Sequence, residues 1–125
     1  MRRLVVGVVT VGLLCAAGPA LGSHASSRYC SESGDLCQST RKIDGIRKLA
    51  VTTTDGSLAT YGLCVTTPTG RTDCKRFEME PSGDDYADSV RWHRHFPADG
   101  PGHYKVAWKI DDCRVIGEEL GFSRG

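Results

Sequence analysis

From Ile46 to the end of the chain, apolar side chains recur at every second position and not at helical spacing. Such alternation predicts half-buried strands, because successive strand side chains point to opposite faces. Leu49, Val51 and Thr53 share one face, and Asp55-Gly56 follows as a turn. Tyr61, Leu63 and Val65 share the next face, Pro68-Thr69-Gly70 turns the chain, and Phe77 and Met79 share a face of the following strand. Pro81-Ser82-Gly83 with Asp84, Asp85 and Asp88 reads as a polar connection. Val90, Trp92 and Phe96 then predict a strand whose apolar face Arg94 breaks. Pro97 to Gly102 is the strongest turn signal, and behind it Tyr104, Val106, Trp108 and Ile110 alternate without interruption. Asp111-Asp112 leads into a last strand carrying Val115 or Ile116, Leu120 and Phe122, with Gly117 a candidate bulge. No stretch is long and periodic enough to predict a helix. Six or seven strands at spacings of roughly ten residues predict an all-β, antiparallel sandwich.

The first 25 residues follow a different logic. Met1, Arg2 and Arg3 precede the apolar run Leu4 to Ala17, and small residues fill Gly18 to Ala25. That order of charge, oil and small residues predicts a secretory signal peptide over residues 1–25, leaving residues 26–125 as one domain. Ser23-His24-Ala25 before Ser26 is the favoured cleavage site, with Ala20-Leu21-Gly22 before Ser23 the alternative. The apolar run is shorter than the roughly 20 residues that span a bilayer, so no membrane span is expected in the exported form. Cys15 follows Leu14, where lipoprotein attachment would want a small residue.

Export changes how the cysteines read, since an oxidising compartment makes disulfides the default. Cys30 and Cys37 bracket a six-residue stretch, and a two-residue turn at Ser33-Gly34 would set them opposite each other. Cys64 and Cys74 flank the Pro68 to Gly70 turn, and both lie on the face opposite Tyr61, Leu63, Val65, Phe77 and Met79. Cysteines on one outer face of one hairpin can meet. Cys113 is left over: a partly buried free thiol near a turn, a bond to another chain, or a re-pairing that leaves another cysteine free.

Asp99-Gly-Pro-Gly-His-Tyr-Lys-Val-Ala-Trp108 resembles the corner and penultimate strand of immunoglobulin-like sandwiches. The resemblance makes Tyr104 the corner tyrosine, its hydroxyl folded back onto the corner backbone, and puts Val106 where antibody domains carry a core cysteine. Residues 102 to 122 are also similar to the end of the bacterial CopC-like copper-resistance proteins, a small exported immunoglobulin-like family. That family has an Asp-Gly-His tripeptide after the Trp and an N-terminal His ligand. Asp111-Asp112-Cys113-Arg114 stands in the tripeptide's place here, without histidine, and His24 becomes terminal only if cleavage follows Ser23.

Composition and charge narrow the chemistry. The chain has 16 Lys+Arg against 15 Asp+Glu and a net charge of +1; without Arg2 and Arg3 the balance is 14 against 15. No run of Lys or Arg marks a nucleic-acid partner, and none is expected. His93-Arg94-His95 with Asp99 and His103 is the densest group of potential ligands. A His-x-His pair on a strand sets two imidazoles on one face about 7 Å apart. Their strand would lie in the sheet opposite that of His103, so His95, His103 and Asp99 are the candidate metal residues, near the corner. Asp84, Asp85 and Asp88 supply oxygens for calcium but lack the spacing of a recognised loop. Trp92 and Trp108 would suit a sugar platform if exposed, yet their parity with Val90, Val106 and Ile110 puts them in the core.

Nucleophile elbow, zinc-protease helix and phosphate-cradling glycine loop are all missing. No catalytic residue and no cofactor is expected. The expectation is a secreted, extracellular or periplasmic, non-enzymatic module that binds an extracellular macromolecule or the cell envelope. An exported copper- or zinc-binding protein is the alternative, and an envelope component cross-linked through Cys113 a third.

Overall fold

The computed structural model describes residues 27–54, 59–110 and 114–125. The signal peptide expected over residues 1–25 with Cys15, the turns expected at Asp55-Gly56 and Asp111-Asp112 and the free thiol expected at Cys113 lie outside the described residues. The strands among the described residues are β1 (Arg28–Cys30), β2 (Leu36–Ser39), β3 (Lys42–Ile43), β4 (Ile46–Thr53), β5 (Thr60–Thr66), β6 (Thr72–Glu78), β7 (Glu80–Ser82), β8 (Asp85–Arg91), β9 (Gly102–Lys109) and β10 (Val115–Arg124). One helical turn, α1 (Trp92–His95), separates β8 from β9. The strands form two antiparallel sheets, ordered β1-β2-β4-β8-β7, with β3 alongside β4, and β10-β9-β5-β6.

The core lies between the sheets on the faces that alternation selects. Leu49 and Val51 of one sheet meet Tyr61, Leu63, Val65, Tyr104, Val106, Trp108 and Leu120 of the other, all essentially inaccessible. Full burial of such a side chain contributes about 1.5–3 kcal/mol. The ten strands exceed the six or seven expected because β1, β3 and β7 are edge pieces of two or three residues, too short to show a period. Asp44-Gly45 makes the β3–β4 turn, with both residues at positive φ (52° and 79°), the geometry that two-residue hairpins require.

Three local expectations need correction. Cys30 and Cys37 do sit directly opposite, but across a longer loop: Gly34 N–H donates to Ser31 O and Ser31 N–H to Leu36 O. The acidic connection after Met79 is mostly strand, since Pro81 pairs with Tyr86 and Ser82 with Asp85, leaving Gly83 and Asp84 as the turn. Pro81 is tolerated there because β7 is an edge strand. Finally, β8 stops at Arg91, and the strand predicted through Phe96 becomes α1, closed by Phe96 N–H donating to Trp92 O at 3.0 Å.

Polar groups join the sheets where the core thins. Gln38 is buried and bridges the β10 bulge: its Nε2 donates to Ile116 O and its Oε1 accepts from Glu118 N–H. Gly117, at φ 65°, is required there, because a Cβ would lie 2.7 Å from Gln38 Cδ. Thr40 Oγ1 donates to Gly121 O at 2.8 Å. Tyr104, wholly buried, donates from its hydroxyl to Gly100 O at 2.6 Å and accepts from Asp99 N–H at 3.0 Å.

Candidate functional site

The residues nominated from sequence go to separate places. Cys30–Cys37 and Cys64–Cys74 are disulfides, each on the outer side of a sheet and each joining directly opposed strand residues. His93 and His95 are not on a strand: they belong to α1, so the expected pair of imidazoles about two strand residues apart does not form. His95 sets its ring edge-on to Phe77, with centroids 5.1 Å apart. His103 is exposed on β9, its Nδ1 3.1 Å from Ser123 Oγ across the strand pair. Asp99 accepts from Thr69 Oγ1 at 3.1 Å, tying the corner to the β5–β6 turn. Each of the three has its own partner, and no group of three or more His, Cys, Asp or Glu among the described residues forms a metal-ligand set.

The aspartates separate as well. Asp88 faces inward on β8, where its Oδ2 accepts from the Tyr61 hydroxyl at 2.7 Å. Burial, that hydrogen bond and the carboxylate charge together push the Tyr61 hydroxyl far above its ordinary range. Trp108 and Trp92 are core residues, at 0% and 5% exposure, and offer no open sugar platform.

What sequence reasoning missed lies at the end of the sandwich where β4 begins and β10 finishes. A cleft of about 520 Å³ opens there, lined among others by Lys42, Arg47, Trp92, His93 and Arg124. Its origin is the same alternation that builds the core. Arg47 continues the inward row of Leu49, Val51 and Thr53, and Arg124 continues the inward row of Leu120 and Phe122. At the mouth of the sandwich both inner faces therefore end in guanidinium groups. Lys42 pairs with Arg47 across the β3–β4 hairpin, and α1 brings His93.

Beneath the arginines lies a buried aromatic cluster, of which Trp92 reaches the cleft. Phe122 stacks parallel to Tyr104 with centroids 5.0 Å apart, and Trp92 meets both rings edge-on at 5.2 and 5.3 Å. Arg47 Cζ lies 4.6 Å from the Phe122 centroid, and Arg124 Cζ lies 5.0 Å from the Trp92 ring. Such cation–π contacts fix a guanidinium while leaving its edge free for an acceptor. Arg47 spends one donor on Thr40 O at 2.8 Å. Burial, and then the charge of Arg124, hold the Arg47 guanidinium below the usual arginine range. None of Lys42, Arg47, His93 or Arg124 is in an ion pair with a carboxylate of the described residues.

These features define a class: an all-β module of two antiparallel sheets, stapled by two disulfides, with a basic cleft at one end. No family model, curated protein or solved structure matches the chain.

Proposed function

We propose that the chain is an exported, non-enzymatic recognition module of immunoglobulin-like build, binding an extracellular macromolecule or the cell envelope through the Arg47–Arg124 end. The strand orders support the immunoglobulin-like reading. With β2, β4, β8 and β7 taken as A, B, E and D, and β10, β9, β5 and β6 as G, F, C and C′, both sheets follow that family's sequence. Tyr104 makes the corner hydrogen bonds at the start of the F-equivalent strand. Two disulfides suit an oxidising compartment, and no helix among the described residues is long and apolar enough to cross a membrane.

The observation that carries the recognition reading is the cleft itself. Two arginines lie on core aromatics, without carboxylate partners among the described residues, where a self-contained fold would place apolar or paired residues. Departures from local consistency of this kind mark sites that serve something outside the fold. The test is sedimentation of purified chain with envelope fractions and retention of culture macromolecules on the immobilised chain. Saturable retention that Arg47→Gln/Arg124→Gln abolishes supports the proposal. Absence of retention, or equal retention by the double variant, overturns it.

A further inference from the structure

The cleft's donors come from four separate pieces of chain. Arg47 arrives on β4, Lys42 on β3, Arg124 on β10 and His93 on α1. Outside the cleft, the same end carries Arg41, whose carbonyl accepts from Lys48 N–H, and the cross-strand neighbours Lys48 and Arg91. Asp44, exposed at the β3–β4 turn, is the one acidic residue in the segments 41–48, 91–95 and 123–125 that build this end. A chain with almost balanced total charge thus concentrates positive potential at one place.

The shape of this donor set restricts the ligand. A planar carboxylate offers two oxygens in one plane and is satisfied by a single guanidinium fork. Two stacked guanidiniums, an ammonium and an imidazole arriving from different elements instead call for an acceptor with oxygens in several directions and more than one charge. The geometry points to a tetrahedral oxyanion, a phosphate or sulfate ester group of an extracellular polymer, as the ligand of the Arg47–Arg124 cleft. Bound between the guanidiniums, it accepts from the free N–H edges of both arginines and neutralises their mutual repulsion. Phe122 and Trp92 already contact the two guanidiniums in the free chain, which lowers the side-chain freedom to be lost on binding.

This inference deepens the recognition reading of the same cleft, and the experiment separates the two. Calorimetric titration of the purified chain with inorganic sulfate and inorganic phosphate, against acetate and chloride at matched ionic strength, is the direct measurement. Saturable binding of the tetrahedral anions is expected, weakened at least about tenfold by Arg124→Gln. Lys109→Gln, at the far end of β9, should leave it unchanged. Arg124 is exposed, so its replacement spares the fold; Lys42→Gln is a second exposed variant with the same expectation. Dextran sulfate and dextran phosphate then distinguish the two esters, with polyglutamate as the carboxylate control.

Tetrahedral anions that bind no better than acetate, or equal weakening by Arg124→Gln and Lys109→Gln, would overturn the inference. If the anions fail while envelope retention still depends on Arg47 and Arg124, the ligand class is wrong and the recognition reading stands. If the anions bind but retention ignores the cleft, the anion site stands and the recognition reading falls.

Discussion

Gln38 meets two backbone groups that the β10 bulge would otherwise leave unpaired, the Ile116 carbonyl and the Glu118 N–H. Leu at this position nearly keeps the volume but strands both groups, and each unsatisfied buried group costs about 1–3 kcal/mol. Gln38→Leu should therefore lower the free energy of unfolding by about 2–4 kcal/mol, read from the urea midpoint at unchanged slope; a loss under about 0.5 kcal/mol would show that water replaces the amide at no cost. Tyr61 gives a pH-dependent counterpart. Its folded pKa is raised, so the neutral hydroxyl is the form the fold favours. That contribution is complete below about pH 10 and fades as pH rises further. Titration by tyrosinate absorbance should show Tyr61 protonated until alkaline unfolding begins, and stability above about pH 10 should fall less steeply in Tyr61→Phe. Neither contact was legible in the sequence. Gln38 and its partners are about 80 residues apart, and Tyr61 and Asp88 are 27 apart, so only the assembled sheets reveal them.

At the scale of elements, alternation located the long strands and their inner faces because Leu49, Val51, Tyr61, Leu63, Val65, Tyr104, Val106 and Trp108 repeat without exception. It also put Cys64 and Cys74 on one outer face of one hairpin, where the bond forms. It failed at α1 for a definable reason. Positions i and i+4 share a face in a strand and in a helix alike, so Trp92 and Phe96 cannot distinguish them. Position i+2 can: Arg94 would point inward on a strand and points to solvent on a helical turn, where it is exposed. Asp44-Gly45 was likewise an available hairpin signal between two apolar residues. With Arg94 on the solvent side of the helical turn, Arg94→Ala should change stability by less than about 0.5 kcal/mol, whereas Trp92→Ala should cost about 3–5 kcal/mol. Thermal unfolding of the two variants checks this, and a large effect at Arg94 would restore the strand.

For the whole molecule, the balance of charges concealed how they are distributed. The sequence has no basic run, but β3, β4, β8, α1 and β10 bring separate basic residues to one end, a grouping that exists only in the folded chain. In the unfolded state those segments are far apart, so folding assembles a repulsion that the composition does not contain. Screening should then act on the folded state with a definite sign. Raising sodium chloride from about 0.01 M to about 0.1 M shortens the Debye length from roughly 30 Å to roughly 10 Å. Repulsion between exposed charges around the cleft weakens over that range, so the melting temperature should rise with salt. A near-neutral chain with evenly mixed charges would show the opposite tendency, because screening there removes attractions on balance. Arg124→Gln removes the charge that acts on Arg47 and should flatten the dependence, while Lys109→Gln leaves it in place. A melting temperature that falls with salt in the unaltered chain would mean that attractions elsewhere outweigh the charge gathered at the cleft.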